Sequence, residues 1–109
     1  MTIKWVSSDP LVMNGEPFCY GSRMTVRQLL EERRSGSGLT RILTDHPELK
    51  PLGMASAWVY AAAHAERYAE FVESDGSLAG PGFSSADAAR LPAHLRVPGI
   101  VVKEPSAAA

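Results

Sequence analysis

Short apolar runs separated by turn formers open the chain. Ile3-Lys4-Trp5-Val6 is β-prone, and Ser7-Ser8-Asp9-Pro10 interrupts it with residues that favour turns over strands. Leu11-Val12-Met13 and Pro17-Phe18-Cys19-Tyr20 flank Asn14-Gly15, a dipeptide suited to a type I′ hairpin because both residues tolerate positive φ. The period then changes. Thr25 and Gln28 are spaced as a capping box, with Val26, Leu29 and Leu30 following at helical intervals up to Ser35-Gly36-Ser37-Gly38. A short second helix runs from Leu39 to about Asp45 with Leu39, Ile42 and Leu43 inward, and Pro47 stops it.

The third helix is expected to be the longest, from about Pro51 to Glu73, with Met54, Trp58, Ala61, Ala62, Ala65, Ala69 and Val72 on one stripe. Gly53, Ser56, Tyr60, His64 and Arg67 fall on the opposite stripe, where Phe71 is stranded, and Glu66, Glu70 and Glu73 form an acidic one. From Ser74 to Gly82 glycine, serine and proline dominate, the composition of a linker. Ser84 to Leu91 can form a turn or two of helix capped by Ser84 or Ser85, and Pro98-Gly99 introduces the β-prone run Ile100-Val101-Val102. This divides the chain into residues 1–74, a hairpin plus three helices, and residues 75–109, a flexible C-terminal tail with short apolar anchors.

The 109 residues suffice for one compact domain, and 45% hydrophobic with 21% charged residues is a folded protein's composition. A single cysteine, Cys19, excludes an internal disulfide, and with three scattered histidines it makes no structural zinc site. No signal-like segment or apolar run long enough to span a bilayer is present, so a cytoplasmic protein without membrane contact is expected. The net charge of −1 advertises no global attraction to nucleic acid. Locally, Tyr20 to Lys50 holds Arg23, Arg27, Arg33, Arg34, Arg41 and Lys50 against Glu31, Glu32, Asp45 and Glu48.

Helix, glycine-bearing turn, helix and a longer third helix is the order of a helix-turn-helix domain. On that reading Arg23, Arg27, Arg41, Ser56, Tyr60, His64 and Arg67 are the candidate DNA contacts, although Arg23 can equally fix the hairpin by a salt bridge. A plain helical interaction domain with a solvated polar face explains the same pattern. Cys19, His46 and His64 lie in different elements, each with an ordinary structural role available. The glycine-rich stretches lack the lysine and spacing of a phosphate loop. No enzymatic activity, metal or cofactor is expected.

Pro10-Leu11-Val12-Met13-Asn14-Gly15-Glu16-Pro17, Gly21-Ser22-Arg23-Met24-Thr25-Val26, Leu29-Leu30, Gly36, Ile42-Leu43-x-Asp45-His46-Pro47-x-Leu49 and Ala57-x-x-Tyr60-Ala61 together resemble the four-three-three domain-of-unknown-function family, small prokaryotic proteins treated as VapB-like antitoxins. The resemblance runs from Lys4 to about Ala65. It implies a homeodomain-like trihelical helix-turn-helix domain with an N-terminal β-hairpin, commonly dimeric, and a PIN-like ribonuclease toxin as partner. Ser22 replaces the usual threonine, and Gly38 stands where a capping serine is common. Thr40 and Arg41 stand where acids are common, and Leu52-Gly53 replaces a polar, acidic pair at the start of helix three.

The expectation is therefore an antitoxin that binds operator DNA through its helices and a toxin through its tail. The alternative is a structural or regulatory interaction module without DNA. A homodimer held partly by the N-terminal strands is expected from Ile3, Trp5, Leu11 and Phe18, too much apolar surface for an isolated ribbon. In the tail, Phe83, Leu91, Leu95, Ile100, Val101 and Val102 are the candidate toxin anchors. The competing reading folds the tail back over the domain's own core, with Phe71 as its seat.

Overall fold

The computed structural model describes residues 6–7, 17–19 and 24–103. Strand β1 (Val6–Ser7) pairs antiparallel with β2 (Phe18–Cys19), Val6 opposite Cys19 and Ser7 opposite Phe18. The Asn14-Gly15 turn, Arg23, and the Ile3, Trp5 and Leu11 of the dimer expectation lie outside the described residues. From the end of the ribbon the Pro17 carbonyl accepts the Val26 N–H at 2.9 Å, which seats the strands at the start of helix α1 (Val26–Arg34).

Thr25 caps α1 as its spacing predicts. Its hydroxyl accepts the Gln28 N–H at 3.0 Å while the Gln28 side chain accepts the Thr25 N–H at 2.9 Å, so two orphan donors of the first turn are satisfied reciprocally. Helix α2 (Leu39–Asp45) has the expected bounds. Helix α3 (Pro51–Ala63) starts on a proline and buries Met54, Trp58 and Ala61 on the predicted stripe, but also Gly53, Ala55 and Ala57.

Helix α3 ends ten residues before the expected Glu73. His64 leaves the helical conformation at φ −121° and ψ 48°, and its Nδ1 lies 2.9 Å from the Tyr60 carbonyl. The chain then winds through a 3-10 turn, Ala69–Phe71. Helix α1 holds it there: Arg27 donates to the Arg67 carbonyl at 3.2 Å and Arg34 to the Glu70 carbonyl at 3.5 Å. The Ala-rich sequence favours continuing the helix, and tertiary contacts override that preference.

Residues 75–103 are not a free tail. Leu78, Phe83, Ala88, Leu91, Leu95, Ile100 and Val101 are buried in the same core as Val26, Leu29, Leu30, Ile42, Met54 and Trp58. Phe83 meets Trp58 edge-on, ring centroids 5.3 Å apart. The backbone is tied in as well: Phe83 donates to the Val101 carbonyl at 2.7 Å and accepts from Lys103 at 3.0 Å, and Ala79 donates to the Phe71 carbonyl at 2.8 Å. Helix α4 (Ser85–Ala88) is capped by Ser84, whose hydroxyl accepts the Asp87 N–H. A second 3-10 turn, Ala93–Leu95, places Leu95 inward. Each such aliphatic or aromatic burial contributes about 1.5–3 kcal/mol, and a linker-led sequence conceals it because its apolar residues show no period.

The result is a mainly helical domain with little strand, its core shared by the first three helices and the segment after residue 75. No helix among the described residues is long and apolar enough to cross a membrane.

Candidate functional site

Three arginines of α1 meet different fates. Arg33 is 0% exposed. Its guanidinium lies over the Trp58 ring, 4.3 Å from the centroid, and donates to the carbonyls of Ile100, Leu78 and Gly99. Among the described residues no carboxylate pairs with it, and burial pulls its pKa down to about 10. Arg27 is ion-paired with Glu70 and lies over the rings of Tyr68 and Phe71. Arg34 lies over Phe71 at 4.6 Å. All three therefore fasten later segments of the chain to α1.

Of the other candidate DNA contacts, Tyr60, His64 and Arg67 are neighbours around the end of α3. Arg41 is exposed and paired with Asp45 at 2.9 Å one turn on, which raises its pKa through the hydrogen bond and charge of that carboxylate. Such exposed pairs contribute little to stability. Tyr60 and His64 are half-buried and stacked on each other, centroids 4.1 Å apart. Ser56 is half-buried, and Arg67 is exposed with its guanidinium 5.8 Å from the Tyr68 ring centroid. Between Pro51 and Ala63, α3 carries no ionisable side chain except the phenol of Tyr60. Towards base edges it therefore offers hydroxyls but no charged or amide side chain.

The candidate toxin anchors are placed in the core: Phe83, Leu91, Leu95, Ile100 and Val101 are buried, and Val102 is half-buried against it. Phe71, the suggested seat, is buried with them. Their side chains are engaged with the domain's own core.

His46, expected only to end α2, joins it to α1: Nε2 lies 3.2 Å from Oε1 and 3.0 Å from Oε2 of Glu32. The pair edges a polar hollow that Ser35 also lines, but the Ser35 hydroxyl is donated to the Glu31 carbonyl at 2.9 Å, away from the histidine. Among the described residues no three His, Cys, Asp or Glu side chains are grouped to hold a metal.

What periodicity did not single out is a groove of about 470 Å³ between α2, the start of α3 and α4. Leu39, Leu43, Leu52, Phe83 and Leu91 wall it, and Lys50, Arg90 and Asp87 edge it. Leu39, Leu43 and Leu52 are only half-buried. Lys50 and Arg90 are exposed and have no ion-pair partner among the described residues.

The fold and this surface define a small, mainly helical domain that presents an apolar groove with basic edges. By sequence the chain belongs to the family described as protein of unknown function (DUF433), whose model matches residues 6–61. It is similar to the crystal structure of a DUF433 member protein from Anabaena variabilis ATCC 29413, with TM-score 0.57 and 23% identity. The match covers 61% of this chain and 65% of that one, so it spans just under two thirds of the relative's length. No curated protein matches.

Proposed function

We propose that this chain is a non-catalytic binding protein, the antitoxin of a toxin–antitoxin pair, and that it neutralises a PIN-like ribonuclease toxin from the surface of its folded domain. The observation that carries the reading is the groove, where half-buried Leu39, Leu43 and Leu52 leave apolar surface open beside buried Phe83 and Leu91. A concave, mainly apolar site of this volume is of the size that binding sites have. The antitoxin class is taken from the sequence resemblance to VapB-like proteins alone. The test is co-expression with a PIN-like ribonuclease. The parent chain should co-elute with the nuclease and suppress RNA cleavage, and Leu43→Glu should restore cleavage with little change in melting temperature. Full neutralisation by a folded Leu43→Glu chain would sink the reading.

Operator binding is a second reading, favoured by the three consecutive helices and by exposed Arg41 and Arg67. With an uncharged α3, contact would run through phosphates rather than base edges. Affinity should then fall steeply with salt while distinguishing poorly between the operator and a scrambled duplex. Absence of binding at low salt favours the module without a DNA role.

A further inference from the structure

We infer that the groove takes an amphipathic α-helix with acidic flanks, supplied by a partner protein. The inference rests on the groove being the partner surface and names the chemistry that surface selects.

The shape of the walls decides the occupant's backbone. Leu39 and Leu43 belong to α2 and Leu52 to α3, and the N–H and carbonyl of Phe83 are already bonded to Val101 and Lys103. Leu91 donates its N–H to the Ala88 carbonyl. These walls are side chains of helices and closed turns, so they offer no strand edge to pair with. An occupant must satisfy its own backbone internally, and an α-helix does so while presenting apolar residues along one face.

The edges decide its charge. Lys50 and Arg90 stand exposed beside apolar walls with no carboxylate partner among the described residues. Asp87, the acid at the edge, accepts from the Ser84 hydroxyl at 3.1 Å inside the cap of α4. The N-terminal end of α3 lies at the same edge: Lys50 supplies no side-chain cap, and no acid occupies the first turn. The dipole of α3 adds partial positive charge at that edge to that of the two cations. Carboxylates flanking an apolar stripe complement all three, and cations there are repelled.

The experiment uses the full chain and two synthetic, lactam-bridged helical peptides. Both carry leucine at i, i+4 and i+7, one with glutamates and the other with lysines on both flanks. Fluorescence anisotropy should show saturable binding of the acidic peptide and at least about fivefold weaker binding of the basic one. The Lys50→Glu/Arg90→Glu chain, altered only at exposed positions, should reverse that preference, as expected for two charge pairs of ordinary rim strength. Equal binding of both peptides, no saturable binding, or a preference unchanged by the charge swap overturns the inference. So does self-association through the groove that excludes the acidic peptide. Neutralisation separates the two claims. A charge-swapped chain that still suppresses the nuclease, while Leu43→Glu does not, overturns the acidic helix and leaves the groove reading standing.

Discussion

The Arg33 guanidinium lies 4.3 Å from the ring centroid of Trp58, fully buried, with three main-chain carbonyls as its acceptors. Those carbonyls belong to Leu78, Gly99 and Ile100, so one side chain of α1 fastens two separate turns of the later segment over α3. A planar fork of five donors suits this task, and lysine cannot reproduce it. Arg33→Ala should therefore cost about 3 kcal/mol and lower the melting temperature by more than about 10 °C. An Arg33→Met chain as stable as the parent would show that the carbonyls do not need the guanidinium.

The same residue fixes a pH response. Its pKa is lowered to about 10 by burial, below the value in the unfolded chain. It is therefore protonated in both states from pH 6 to 9 and adds no slope to stability there. Above pH 10 the unfolded chain holds the proton more firmly, so Arg33's contribution to stability rises with pH. Denaturant midpoints of the parent and Arg33→Met should differ by a constant amount between pH 6 and 9, and a drift across that range would contradict the assignment.

Two glycines at positive φ should respond very differently to substitution. A Cβ at Gly80, φ +89°, would sit 1.8 Å from the Arg33 carbonyl oxygen, whereas Gly36, φ +99°, has nothing within 4 Å. Gly36→Ala meets backbone strain alone, about 1–2 kcal/mol, and Gly80→Ala must in addition separate α1 from the later segment. Urea denaturation should give a folded Gly36→Ala protein and an unfolded or severely weakened Gly80→Ala protein; equal losses would mean that the two chains do not pack this closely.

Truncation after Asp75 removes Leu78, Phe83, Leu91 and Val101, all buried. The shortened chain should lose its cooperative thermal transition and the near-ultraviolet circular dichroism of Trp58. A truncated chain that melts as the parent does would restore the reading of residues 75–109 as a flexible tail.

At the turn that leads into this segment, the Asp75 carboxylate accepts the Ser77 hydroxyl at 2.7 Å and the Ser77 N–H at 2.9 Å. These bonds hold its pKa below the usual carboxylate value. The small contribution of the turn is present above the ordinary aspartate range and fades as pH falls through the lowered value. The Ser77 amide resonance should titrate with a midpoint below that of a model aspartate. A midpoint at or above it would count against the turn.

The parts of this fold legible in the sequence are those fixed by local chemistry: the Thr25–Gln28 capping box, the limits of α2 between Gly38 and Pro47, the Ser84 cap, and the stripe of Met54, Trp58 and Ala61. The end of α3 was hidden because Ala61 to Val72 favours a helix by propensity, and the contacts that stop it come from Arg27 and Arg34, more than thirty residues away in sequence. Arg33 left a signal that its charge obscured. Val26, Leu29, Leu30 and Arg33 follow one helical stripe and are all buried, so periodicity places the arginine inward. The groove left none, since its walls come from α2, α3 and the segment around α4, and only the folded chain brings them together.

The bonds from Arg33 to Leu78, Gly99 and Ile100 span 45, 66 and 67 positions. Synthesis runs from the N-terminus, so α1, α2 and α3 are made before the residues that cover Trp58. At roughly 5–20 residues per second, the nascent helices wait on the order of seconds with an apolar face uncovered and Arg33 without its carbonyls. Chaperones and proteases meet the protein in that interval, and the hazard ends only when Val101 emerges and the last turn closes over α1.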